Sequence, residues 1–190
     1  MNHFKAIIAV TVTAGLMWGL WSIYKDFLTQ GQKPPESTQI LNEISKNGVP
    51  DFELNDIKGK TIKLSDFKNK IVIVNFWASW CDPCVEEFPS LLKLLNDFKG
   101  EIVLLAISAD HSEEDMNNFL KAFNAESPYL YVMWDKEQEV AKKYGTSVLP
   151  ESYVLGYDNK LIRKVAGVDD WSSPYAKEFF ESIIKENKKN

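Results

Sequence analysis

Cysteine and histidine are scarce in this chain. Its 190 residues contain two of each: Cys81, Cys84, His3 and His111. So few cysteines exclude a multi-disulfide scaffold, and a closed structural zinc site would have to recruit both distant histidines to reach four ligands. Net positive charge is also lacking. The chain is at −5; Lys5, Lys25 and Lys33 against Asp26 give residues 1–35 a charge of +2, which leaves −7 for the remainder. An acidic domain of that kind is a poor partner for nucleic acid or anionic lipid heads. No internal repeat or low-complexity tract is present.

One stretch lacks charge altogether. From Ala6 to Tyr24 the run AIIAVTVTAGLMWGLWSIY spans roughly 28 Å as a helix, close to one bilayer core. Lys5 and the amino terminus precede it, whereas Lys25 and Asp26 cancel behind it, so the positive-inside rule leaves Met1 cytoplasmic and exports the rest. A cleaved signal peptide wants an A-x-A-like site, which GLWSIYKDFLTQG lacks, and lipoprotein processing wants a cysteine just after the run. A buried core helix is the remaining alternative. The expected organisation is a membrane anchor over residues 1–28, a polar linker over 29–48 broken at Pro34-Pro35, and one domain over 49–190 of ordinary single-domain size.

Within that domain, FELND and TIKLSDF alternate like strands around the turn IKGK. KIVIVNFWA and EIVLLAISA read as strands buried on both faces, which implies parallel pairing. Between them, Phe88, Leu91, Leu92, Leu94, Leu95 and Phe98 recur at helical spacing up to Lys99-Gly100. SEEDMNNFLKAF opens with a capping-box-like Ser112 and Asp115, and DKEQEVAKKYG reads as a helix ending at Gly145. ESYVLG and KLIRKVAG pair as a hairpin, and SSPYAKEFFESIIKEN closes the chain as an amphipathic helix. The pattern is an α/β layered domain.

The cysteines fall in NFWASWCDPCVEEFP, where a buried strand hands over to a helix. Cys81 lies at the first turn, where unpaired N–H groups and the positive end of the macrodipole favour a thiolate. Pro83 fits there because its missing N–H is one the helix does not use. Cys84, three residues on, is on the same side, so a nucleophilic thiol acquires a resolving partner. A static disulfide closing so small a loop constrains the unfolded chain little; it and half a metal site are the competing readings.

VNFWASWCDPC followed by EEFP, with SVLPESYVL about 65 residues later, resembles the membrane-anchored, exported TlpA/ResA-like thioredoxins, including those serving cytochrome c maturation. The resemblance covers nearly all of residues 49–190. It implies a thioredoxin fold, with a central mixed β-sheet flanked by helices and an N-terminal β-hairpin extension. It also implies thiol-disulfide exchange with Cys81 as the attacking thiol, and Pro150 as a cis-proline that helps receive a substrate strand. No cofactor beyond the redox-active cysteine pair is expected. The implied protein reduces disulfides in client proteins, apocytochrome c among them. It draws electrons from a membrane donor and faces the extracytoplasmic space from a bacterial inner membrane by a single pass. A disulfide-forming oxidant and a copper-handling protein are the alternatives.

Asn75 departs from cytosolic thioredoxin, where the resemblance places a buried aspartate thought to move a proton from the resolving thiol. Glu87, one turn after Cys84, is the candidate to replace it, whereas Glu86 reads as solvated. Glu151 matches the Pro-Glu-Thr pattern of cytochrome-maturation thioredoxins, with Ser152 in place of threonine, and is assigned to substrate binding against the alternative of an edge-strand charge. Trp80 beside the nucleophile reads as a half-exposed wall for a docking peptide, and Trp77 as core. His111 suggests the copper site of Sco proteins, but those have three residues between their cysteines, so it reads as a surface or cap residue.

Overall fold

A computed structural model describes residues 2–30 and 35–188. Contacts divide the chain into two compact units, 1–35 and 36–190. The first is one helix, α1 (Asn2–Gln30), whose described apolar side chains are exposed. Among the described residues no helix is long and apolar enough to cross a membrane; of the uncharged run 6–24, the side chains of residues 6 and 9 lie outside the described ones. Pro34 of the expected linker break does too.

The second unit starts earlier than the sequence reading places it. Residues 29–48 are not linker throughout: α2 (Glu36–Asn47) begins just after Pro35 and stops at Gly48. Its Ile44 is buried in the domain core, and Ile40 packs against the end of α5 (Glu139–Tyr144). Gly145, at φ +67°, ends α5, and a Cβ there would sit 3.1 Å from Ile40 Cβ. The apolar stripe of Ile40, Leu41 and Ile44 at helical spacing was the available signal, hidden among polar neighbours. Deleting residues 1–35 is therefore expected to leave a stable domain. Deleting through Gly48 uncovers the Ile44 site and should cost about 2–3 kcal/mol on the burial of that side chain alone. Urea denaturation of the two truncations compares them, and equal midpoints would make α2 dispensable.

β1 (Glu53–Asn55) and β2 (Thr61–Lys63) form the expected antiparallel hairpin. The main sheet has the order β5-β4-β3-β6-β7. β3 (Ile71–Trp77) lies at its centre, parallel to β4 (Ile102–Ser108), which is parallel to β5 (Leu130–Trp134). β6 (Glu151–Leu155) and β7 (Leu161–Ala166) are antiparallel, so the sheet is mixed. β5 was not anticipated, because LYVMW neither alternates nor is flanked by a clear hairpin turn. Helices α3 (Asp82–Phe98), α4 (Glu113–Ala122) and α6 (Pro174–Asn187) complete the unit. Ser112 caps α4 by accepting the Asp115 N–H. α5 is shorter than DKEQEVAKKYG suggested, because Asp135 stays outside it and caps it, its carboxylate accepting the N–H groups of Glu139, Val140 and Ala141.

The pleat of β3 divides the core. Ile71, Ile73 and Trp77 pack with α3, α4 and α6 on one face, while Val72, Val74 and Phe76 pack with the hairpin, α2 and α5 on the other. Burial of both faces explains why β3 reads as an unbroken apolar run. Asn75, by the same alternation, falls on the face of Ile73 and Trp77, beneath the helix that carries the cysteines.

Candidate active site

β3 delivers the chain to the sheet's edge of loops through Ala78 and Ser79, and Asp110 at the end of β4 holds that turn. Asp110 Oδ1 accepts both the Ser79 N–H (2.9 Å) and the Ser79 hydroxyl (2.7 Å), and Oδ2 accepts the Ser108 hydroxyl. Asp110 is buried and fully engaged, a structural role that the sequence reading missed. Its only signal was an acid directly after a buried strand.

The turn ends at Cys81, the N-cap of α3, with Pro83 in the first helical turn. Cys81 and Cys84 are joined as a disulfide, their Cα atoms 5.2 Å apart. The Cys84 N–H points at Cys81 Sγ over 3.3 Å. This is the helix-terminal donor geometry that stabilises sulfur anion when the bond opens. Cys81 opens on a groove of about 520 Å³ whose walls include Trp80, Pro83, Ala141, Val148 and Leu149. Cys84 is more deeply buried and does not line it. Leu149 is joined to Pro150 by a cis peptide bond, as the resemblance implied. Trp80 is 55 % exposed on the groove wall, its ring stacked on His111 at 5.9 Å between centroids. Trp77 is core, packed on Phe88 and Phe119.

Glu87 is not a surface residue. It is 2 % exposed on α3, Oε1 accepts the Trp171 indole N–H, and Oε2 has no hydrogen-bond partner. Burial pushes its carboxyl up to about 7; the Trp171 donor opposes this, and the Asp169 carboxylate adds to it. The sign for stability follows. Below about pH 4.5 the group is protonated folded and unfolded alike; as pH rises from there towards 7 the unfolded chain releases the proton while the folded protein keeps it, and stability falls. Glu87→Gln is therefore expected to gain on the parent between pH 4.5 and 8 by on the order of 1–3 kcal/mol, read from urea denaturation at both pH values. A difference that does not change with pH would mean that Glu87 ionises as freely as a surface carboxylate.

Two further sequence candidates take structural places. Asn75 is buried, its amide donating to Ser152 Oγ at 2.9 Å while its own oxygen is unpartnered. Glu151 is neither an edge-strand charge nor a groove wall. It is 1 % exposed on an interior strand, with Oε1 2.9 Å from Lys164 Nζ and Oε2 3.1 Å from the Tyr153 hydroxyl. Burial raises the Tyr153 phenol, so it remains a donor. Both Glu151 oxygens are thus engaged inside the protein, on the sheet face that carries Tyr153 and packs against Tyr144 of α5.

A cysteine pair at a strand-to-helix junction, in a thioredoxin-like mixed sheet and beside a cis-proline, defines a thiol-disulfide oxidoreductase. Residues 46–164 match the AhpC/TSA family model. The Thiol-disulfide oxidoreductase ResA of Bacillus thuringiensis subsp. konkukian is 34 % identical over 165 residues, 86 % of this chain and 87 % of that protein. Among solved structures, the thioredoxin domain of a thiol-disulfide oxidoreductase from Bacteroides vulgatus superposes with a TM-score of 0.61 at 28 % identity, covering 70 % of this chain and 94 % of that one. The pneumococcal exposed lipoprotein thioredoxin Etrx1 gives 0.59 at 27 %, covering 70 % and 99 %. The chain belongs to the AhpC/TSA family, and its curated relatives include the ResA-type thiol-disulfide oxidoreductases.

Proposed function

We propose that this protein is an anchored, extracytoplasmic disulfide reductase acting on client proteins, with Cys81 as nucleophile, Cys84 as resolving thiol and Glu87 as the proton-exchanging group near the pair. The observation that carries this reading is the asymmetry of the pair: Cys81 opens on the groove and Cys84 does not. The groove wall of Trp80, Val148 and Leu149 suits an extended apolar segment. Apocytochrome c is the proposed client on the resemblance of the motifs to cytochrome-maturation thioredoxins, and a membrane protein is the proposed electron donor. Anchoring is supported by the uncharged run of residues 6–24 and by the exposure of its side chains, among them Leu16, Trp18, Leu20 and Ile23, which suit an apolar surrounding. An extracytoplasmic setting agrees with the exposed lipoprotein thioredoxin among the structural neighbours.

Direction follows from charge. A pair of this type becomes a strong oxidant when its thiolate is specially stabilised, as in DsbA. Here Asp82 adjoins Cys81, and no Lys, Arg or His occurs between Lys70 and Lys93 in the sequence. A carboxylate about 6 Å from the sulfur at an effective dielectric of about 40–80 costs the thiolate roughly 1 kcal/mol, or about 20 mV towards reducing. Ionised Glu87 pushes the same way. The expected potential is nearer the about −270 mV of thioredoxin than the about −120 mV of DsbA. Equilibration of the domain with glutathione or dithiothreitol buffers measures it, and a value above about −180 mV, in the range of disulfide isomerase, overturns the reductase reading in favour of an oxidant.

A further inference from the structure

Glu87 is held by groups far away in sequence. Trp171, in the loop between β7 and α6, is 2 % exposed, and its indole N–H is the donor to Glu87 Oε1. Its backbone is tied to the same helix: the Trp171 N–H donates to Ser90 Oγ at 3.1 Å, and the Ser90 hydroxyl donates to the Glu87 carbonyl at 2.8 Å. Two residues earlier, the Asp169 carboxylate faces Glu87 and repels its negative form, while the Asp169 main-chain N–H favours it. Asp169 is in turn paired with Arg163 on β7, Oδ2 to Nη2 3.2 Å, both side chains about a third exposed. Arg163 is the only arginine in the chain, and its guanidinium is fixed against the rings of Tyr175 and Phe179 on α6.

We propose that Trp171, backed by the Arg163–Asp169 ion pair, is a positioning unit for Glu87. It engages Oε1 and leaves Oε2 as the single oxygen free to exchange a proton. This rests on the reading that Glu87 acts on the cysteine pair. None of these residues lines the Cys81 groove, so the unit works through Glu87 and does not touch a client. The geometry gives each member a sign. The Trp171 donor stabilises the carboxylate, because a hydrogen bond to an ionised group is worth more than one to its neutral form. Asp169 destabilises it, and Arg163 damps that repulsion. The other charges near this end of α3, Asp82 and Glu86, lie on its exposed side.

The test titrates Glu87 directly in the full chain, by the carboxyl carbon resonance of 13C-labelled glutamate, assigned by its loss in Glu87→Gln. Trp171→Phe should move the Glu87 midpoint up by on the order of one pH unit. Arg163→Gln should move it up by less, and Asp169→Asn should move it down. In the reduced protein, the pH profile of iodoacetamide reactivity in Trp171→Phe should shift towards that of Glu87→Gln, and the double variant should match Glu87→Gln alone. A residue that only fills the core would lower the denaturation midpoint of Trp171→Phe and leave the Glu87 titration in place; that result overturns the proposal. Should Trp171→Phe not fold, the opposed shifts of Arg163→Gln and Asp169→Asn decide it, and two unmoved midpoints overturn it equally. A Glu87→Gln profile identical to the parent's strikes instead at the role of Glu87. A shifted Glu87→Gln profile with unmoved midpoints in the other variants strikes only at the positioning unit.

Discussion

Cys81→Ser is expected to reduce client disulfide reduction to background, and Cys84→Ser to retain the first attack but accumulate as a mixed disulfide. The two steps differ in which sulfur they need. In the proposed reaction the Cys81 thiolate attacks one sulfur of the client disulfide, forming a mixed disulfide and releasing one client thiol; Cys84 then attacks Cys81 Sγ, releases the second thiol and leaves the Cys81–Cys84 disulfide. Two electrons leave the protein and two protons end on the client. Only Cys81 lines the groove, at the head of α3 where backbone N–H groups are unpaired. Non-reducing electrophoresis of cells carrying Cys84→Ser displays the trapped complexes, and mass spectrometry of the bands names the clients. Iodoacetamide at neutral pH should label Cys81 of the reduced protein before Cys84; the opposite order would reverse the two roles.

Lys164→Met should destabilise the domain by about 3–5 kcal/mol, a large fraction of an ordinary domain's total. It leaves Glu151 buried at 1 % exposure without its cation. The Tyr153 hydroxyl cannot compensate, because it is shared with the Tyr144 carbonyl at 2.7 Å. Removing both charges should recover most of the loss, since an apolar pair of similar volume in such a place is often neutral or better. Urea denaturation of Lys164→Met and of the Glu151→Leu, Lys164→Met double variant measures this. A single-variant loss under about 1 kcal/mol would mean that Glu151 reaches water, and would return it to the candidates for client contact.

Trp80 and the cysteine pair were legible because their signals are local. An unbroken apolar strand, a cysteine at the following helix start, a proline in its first turn and a second cysteine three residues on all lie within NFWASWCDPC. Two continuous apolar runs and a hairpin near the C-terminus were legible for a similar reason, whereas their union in one mixed sheet came only from the resemblance to thioredoxins. α2 was not, because a stripe of three apolar residues in a polar segment has no visible partner until α5 is folded beside it.

The sequence by itself determined the chemistry of the pair, the layered α/β architecture and the presence of an acid one turn beyond Cys84, since each follows from spacing within one element. Only the tertiary structure decided what the acids do. Glu87 and Glu151 look equally exposed in the sequence. One became a carboxyl with a raised pKa because it is buried, with Asp169 adding to that shift and the Trp171 indole donor opposing it. The other became half of a buried ion pair because Lys164 lies beside it across the sheet. Both outcomes depend on residues that approach from β7 and the loop beyond it, and the ionisation of a buried carboxyl is set by such neighbours and by its desolvation, neither of which a linear pattern contains.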